Sequence, residues 1–501
     1  MPLWSTSKPI QKVIDGLTEQ NLLLTQLIFY GIILLTTFSM NYVDNYPGQK
    51  LEHGIFLDFK LLALQKISRI DYQEYQKIGT GKLIQRIENG ANAGKGVVFD
   101  FWFRVIRDLF PTMFFSIYFI CRIDKKITLF LLIGYVIVFI VTNVLLKFLY
   151  QVKEKILNNE EALNRFLVRG FMEMLVFRMA RQFPCEMKKA SIAKKDIVAS
   201  KTKMTMIHEA FFTMFALLVA CLDIGILFYA WQVKSLSIGS VVTLITLIDN
   251  AYTPIAIFNV IYVQYKLNKT AYKRFEQFLN LKNDEQLEQG IRPNHFTGEI
   301  RVKDLSFAYS ERQVLNHIDL LIRKGEKIAF VGESGSGKST LIKLFVGLLK
   351  YKDGQITLDG QPLSQIALDA LYSKIIYLSQ DAPVFDGTVK ENMVFDRDVS
   401  KDDLLEALDK VQLISLIQSL PNGVDTQIGE KASSLSGGEK QRLALSRIWF
   451  QNSDIVILDE ATSALDNLTE ERVMNEVTTY LQNTTVIAIA HRLDSIKGFD
   501  R

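Results

Sequence analysis

The chain has 501 residues, 49% hydrophobic and 22% charged, with a mean hydropathy of +0.13. That length exceeds one ordinary core, and this mixture excludes a uniformly soluble or disordered protein, because apolar and charged residues must be segregated along the sequence. A net charge of +4 makes nucleic acid no default partner, and three cysteines, Cys121, Cys185 and Cys221, exclude a disulfide framework and read as reduced core residues.

Residues 1–21 carry Lys8, Lys12, Asp15 and Glu19 and no long apolar run, so they supply neither a signal peptide nor a membrane span. Five apolar stretches follow, at 22–40, 109–121, 127–146, 210–231 and 238–263. The third, ITLFLLIGYVIVFIVTNVLL, is free of charge and reaches the ~20 residues that cross a bilayer as a helix. The second is shorter, begins beside Arg104, Arg107 and Asp108, and reads as the end of a longer helix. Two long segments between the spans, 42–100 and 148–208, are rich in Lys and Arg, which assigns both to the cytoplasmic side. Their helical periodicity predicts hairpins that project ~40 Å from the bilayer. Asp223 and Asp249 lie within spans, where a carboxylate marks a transport pathway or is satisfied by a neighbouring helix.

A membrane domain therefore occupies 1–264, a polar helical linker 265–296, and a second domain 297–501, where strand and helix signals alternate. In that domain KIAFV reads as a buried strand, followed by GESGSGKST from Gly332 to Thr340 and then an apolar helical run. This strand, glycine loop and helix make a phosphate cradle: Gly332, Gly335, Ser336 and Gly337 shape the loop, Lys338 brings a positive charge, and Ser339 and Thr340 open the helix. The Ser339 hydroxyl is placed to reach Mg²⁺. A second strand, DIVIL, runs into Asp459 and Glu460, the first suited to position Mg²⁺ and the second to polarise an attacking water. A third, TVIAIA, delivers His491 to the same edge of a parallel sheet, near the γ-phosphate.

These residues, with LSGGEKQR at 435–442, resemble the ATP-binding cassette transporters, and specifically exporter-type half transporters whose membrane domain is fused ahead of the cassette. The resemblance covers essentially the whole chain and implies a membrane α-helical bundle followed by an α/β P-loop ATPase cassette. It also implies roles for Tyr309, which stacks on adenine in relatives; for Gln380, near the metal and the attacking water; for Glu430 before the signature; and for Asp466, which ends the SALD loop. Ser436, Gly437 and Gly438 would grip the γ-phosphate of ATP held by a partner cassette. ATP and Mg²⁺ are then the implied ligands, and a second half transporter, identical or different, is the implied partner beside the lipid bilayer and an unnamed cargo. Segments near Asp71–Lys77 and Arg169–Glu173 correspond to coupling helices.

The expected function is ATP-driven export, with dimeric cassettes switching a multi-pass bundle of a cell membrane between inward-facing and outward-facing forms and the ATPase domain in the cytoplasm. The alternative is a truncated or catalytically idle partner subunit. Glu439 replaces the commoner Gln of the signature and Ala432 replaces a common Gly, both away from the phosphate-contacting atoms. The first of the family's six spans is expected to be cut short at MPLWSTSKPIQKVIDGL, and the cassette to be shortened after HRLDSIKGFDR.

Overall fold

The computed structural model describes residues 7–20, 22–78, 80–233, 236–381, 383–428, 435–490, 492 and 496–501. Two compact units emerge, Met1–Lys66 with Gly79–Leu281, and Ile67–Ile78 with Lys282–Arg501.

The helices before the cassette are α1 (Ser7–Thr18), α2 (Leu24–Arg69), α3 (Tyr72–Ile78), α4 (Thr80–Lys95), α5 (Phe110–Ile123), α6 (Lys125–Met172), α7 (Met174–Met179), α8 (Phe183–Val233) and α9 (Ile238–Leu279). Residues 127–146 fall inside α6, and 238–263 inside α9. The short apolar stretch at 109–121 is indeed the end of a longer helix: two π-helical segments, Gly96–Phe103 and Val105–Leu109, join α4 to α5 without a break. The wider π-helical turn coincides with a close approach, because a Cβ on Gly96 would fall 1.9 Å from Asn268 Nδ2 of α9. Side-chain caps set the sharp reversals. Asp124 accepts the amides of Lys126 and Ile127 at 2.7 and 3.2 Å to start α6, and Ser237 caps α9 through the amide of Ser240 at 3.1 Å.

Among the described residues, two helices are long and apolar enough to cross a membrane by length and composition, Leu24–Arg69 and Phe183–Val233. A shared core gathers Ile120, Leu131, Leu244 and Tyr252, whose hydroxyl donates to the carbonyl of Leu131 at 3.0 Å. The three cysteines are free but exposed, which corrects their reading as core residues: the helices put many small and apolar side chains on their outer surface.

In the second unit, Ile67–Ile78 packs with the cassette. Ile70 bridges to Asn283, the amide of Asp71 donates to Lys282 O at 3.1 Å, and the amide of Asp284 donates to Arg69 O at 2.8 Å. Asp71 then starts α3 by accepting the amide of Gln73 at 2.9 Å.

Among its described residues the cassette has eight strands: β1 (Ile300–Tyr309), β2 (Arg312–Ile322), β3 (Lys327–Phe330), β4 (Asp353–Leu358), β5 (Gln361–Pro362), β6 (Ile375–Leu378), β7 (Ile455–Asp459) and β8 (Thr485–Ile489). They form an antiparallel sheet ordered β2-β1-β4-β5 and a parallel sheet ordered β3-β8-β7-β6. Alternation along β7 divides the core between the two faces of the parallel sheet. Ile455 and Ile457 pack with Ile300, Leu305 and Ile356 of the antiparallel sheet. Val456 and Leu458 pack with Leu404, Leu443 and Val473 of the helices beyond the other face. Burial on both faces explains why these strands read as unbroken apolar runs.

Candidate functional site

The parallel register brings the chemistry to one edge. Phe330 of β3 and Asp459 of β7 both pair with Ile489 of β8, and Leu378 of β6 pairs with Leu458. The segments leaving these strands at their carboxyl ends therefore emerge side by side, where open α/β sheets bind ligands.

After β3 the backbone turns through Gly332, Gly335 and Gly337 at φ +151°, +86° and +96°. Gly337 leads into helix α10 (Lys338–Phe345), and a Cβ there would press on Leu315 Cδ2 at 2.9 Å and Val314 O at 3.2 Å. Both its dihedral and its close neighbours therefore require glycine. Lys338 Nζ folds back over the loop, donating to the carbonyls of Gly332 and Glu333, each at 2.8 Å, and lying 3.4 Å from Ser336 Oγ. Thr340 follows within the first turn of α10. A loop crossed by one ammonium group and ending in a helix N-terminus is a cradle for an anion.

Ser339 Oγ donates to Asp459 Oδ1 at 3.0 Å, joining α10 to β7, and the Tyr377 hydroxyl donates to Asp459 Oδ2 at 3.2 Å. Asp459 is 4% exposed. Burial pushes its carboxyl above the usual carboxylate range, while the hydrogen bonds from Ser339 and Tyr377 pull it back. The next residue, Glu460, has φ +55°, a left-handed conformation uncommon outside glycine, and its Oε2 accepts from Gln380 Nε2 at 2.7 Å. Lys338, Ser339, Asp459, Glu460 and Gln380 thus meet at one sheet edge.

Ser436 is the N-cap of the signature helix Gly437–Leu445. Its Oγ accepts the amide of Glu439 at 3.3 Å, and Glu439 Oε2 accepts the amide of Ser436 at 2.6 Å. Glu439, the departure from the commoner Gln, closes a capping box. Gly438 needs its missing side chain, since a Cβ would come within 3.0 Å of Ala464 O. Among the described residues, the hydrogen bonds of Ser436 stay within this helix start and do not reach 332–340. Tyr309 ends β1, 41% exposed and edge-on to Phe307 at 5.0 Å, on the sheet whose β2 abuts Gly337. His491, Glu430 and Ala432 lie outside the described residues.

Three residues that the motifs did not single out organise this edge. Tyr377 orients Asp459. Gln441 ties the signature helix to the acidic strand end: its Nε2 donates to Ser463 Oγ at 3.1 Å and its Oε1 accepts the amide of Ala464 at 2.8 Å. Arg492 donates to Leu465 O at 2.8 Å and Glu470 Oε2 at 3.1 Å, fastening the turn that follows Glu460. Asp466 caps the next helix by accepting the amide of Thr469 at 3.0 Å, which lowers its carboxyl pKa. A tyrosine two residues after the start of an apolar strand carries no signal for Tyr377.

Residues 315–463, which include the phosphate loop, the signature and the acidic strand end, match the ABC transporter family. That part of the chain is an ABC transporter domain. An uncharacterized ABC transporter ATP-binding protein, YwjA of Bacillus subtilis (strain 168), is 36% identical over 310 residues, 61% of this chain and 52% of that protein. The mitochondrial iron-sulfur clusters transporter ATM1 of Debaryomyces hansenii is 36% identical over 277 residues, 53% of this chain and 40% of that one. An ATP-dependent lipid A-core flippase of Francisella novicida is 39% identical over 206 residues, 41% of this chain and 35% of that one. The aligned part of the chain thus spans about half or less of these relatives. A bacterial Atm1-family ABC exporter solved with ATP bound superposes with a TM-score of 0.81 at 22% identity, over 99% of this chain and 90% of that one. At that identity the likeness establishes the fold, a helical exporter-type membrane unit with a P-loop cassette.

Proposed function

We propose that the chain is one half of an ATP-driven exporter, multi-pass in a cell membrane, with its cassette on the cytoplasmic side. The convergence of Lys338, Ser339, Asp459, Gln380 and Glu460 on one sheet edge is the observation that carries this reading. The loop amides and Lys338 bind the phosphates of ATP, and Tyr309 supplies an aromatic face for the adenine. Ser339 Oγ and Asp459 Oδ1 are hard oxygen donors 3.0 Å apart, a pair that fits Mg²⁺ completed by phosphate oxygens and water. When bound there, Mg²⁺ supplies positive charge to the phosphate oxygens. Glu460 is the general base that takes a proton from the attacking water, and Gln380, already hydrogen-bonded to it, holds that carboxylate in place.

Ser436 keeps its hydroxyl proton while its oxygen accepts from Glu439, so this helix start can donate to a phosphate presented from outside the chain. A second half transporter supplies that phosphate, and two cassettes enclose two nucleotides head to tail. The Ile67–Ile78 segment, hydrogen-bonded to Lys282 and Asp284, transmits the cassette's movement to α2, whose last residues it includes. The cargoes named for the relatives differ, and none is assigned here.

Purified chain is expected to hydrolyse ATP, and Lys338→Ala to lose nucleotide affinity. Nucleotide binding without turnover in the unmodified chain would make it an idle partner subunit and remove the catalytic assignment of Glu460.

A further inference from the structure

The first unit contains a cavity of about 630 Å³ between α1, the last turns of α5 and the first turns of α9, close to the reversals at Asp124 and Ser237. Lys8 and Arg122 line it, and among the described residues no acidic side chain does. A second cavity of about 480 Å³, between α1 and the start of α2, shares Lys8 and adds Lys12 and Gln26. Among the described residues, none of these three cations has an acidic partner.

The face of α1 carrying Lys8, Gln11, Lys12 and Asp15 divides its work. Asp15 and Gln11 fasten the helix to α9: Asp15 accepts the amide of Gly239 at 2.8 Å and the hydroxyl of Ser237 at 2.9 Å, and Gln11 Nε2 donates to Ser240 Oγ at 2.8 Å. The acid of this face is therefore already engaged, while Lys8 and Lys12 line the cavities. Across the first cavity, Arg122 donates to the Tyr118 hydroxyl at 3.1 Å and lies 5.5 Å from that ring's centroid, which orders its guanidinium. The remaining lining includes Phe119 and Leu247 in one cavity and Phe29 in the other. Among the described residues, Gln26 Oε1 is buried with no hydrogen-bond partner.

We propose that these adjoining cavities hold an anionic phospholipid, its phosphate between Lys8 and Arg122 and a tail along Phe119 and Leu247. Basic side chains beside apolar surface at the ends of membrane helices match an anionic amphiphile. Lysines that merely extend to the interface need no recess, and a small free anion gains nothing from the apolar lining. The proposal rests on the membrane reading above and is independent of ATP chemistry.

The full chain, purified in detergent and incubated with equal amounts of phosphatidylglycerol and phosphatidylcholine, should retain phosphatidylglycerol preferentially in native mass spectrometry. Lys8→Gln with Arg122→Gln should cut that retention at least about fivefold, and Lys8→Arg with Arg122→Lys should preserve it. Equal retention of the two lipids by the unmodified chain, a result that needs no variant to fold, overturns the proposal. So does unchanged retention in the Gln variant. Displacement of the lipid by inorganic phosphate alone would show a free-anion site and overturn the lipid assignment. Recovery of the chain outside the membrane fraction would instead overturn the membrane reading.

Discussion

In β7 of the cassette, Ile455, Val456, Ile457 and Leu458 are all 3% exposed or less, whereas on α2 Leu24, Leu35 and Phe38 are 65–71% exposed. Both segments are strongly apolar in sequence. The cassette buries such residues against its own sheets and helices, and the first unit presents them outward along helices long enough to cross a bilayer. The same composition thus answers to two solvents. The cassette's chemistry gathers at its sheet edge, where Lys338, Ser339, Asp459, Gln380 and Glu460 converge.

The largest expected effect lies in the cassette. Glu460→Gln should leave ATP binding intact and lower turnover at least ~100-fold, the scale of a lost general base; equal steady-state rates in variant and parent would remove Glu460 from the mechanism. A charge on the outward apolar face breaks the comparison directly. Leu217 on α8 is 63% exposed, so in a water-soluble protein Leu217→Lys would be nearly neutral. In lipid it should cost about 3 kcal/mol and reduce recovery of folded chain from membranes. The smallest effect concerns a supporting contact. Tyr377→Phe removes one hydrogen bond to Asp459, and the Mg²⁺ concentration for half-maximal turnover should rise about threefold to tenfold.

Much of this division was legible in the sequence because it depends on periodicity and on motifs with fixed backbone geometry. The strands ending at Phe330 and Asp459 lie within one residue of where the apolar runs placed them, and the phosphate-loop glycines adopt the positive φ that the loop demands. The antiparallel sheet was less legible, because β1 and β2 alternate irregularly and pair through bulges, as between Val302 and Leu305. Tyr377, Gln441 and Arg492 escaped notice for a different reason: their partners lie far away in sequence, and no local spacing announces them. The exposed cysteines show the same limit on the membrane side. An apolar run identifies a helix without saying which of its faces is covered.

The most direct measurement mixes two variants, each inactive alone: Ser436→Arg, which keeps its own phosphate loop, and Lys338→Ala, which keeps its signature helix. A dimer of one of each contains a single intact composite site. Random pairing should restore turnover to about a quarter of the unmodified rate, if each shared site works on its own. A mixture as inactive as its components would contradict completion of each nucleotide site by the second chain.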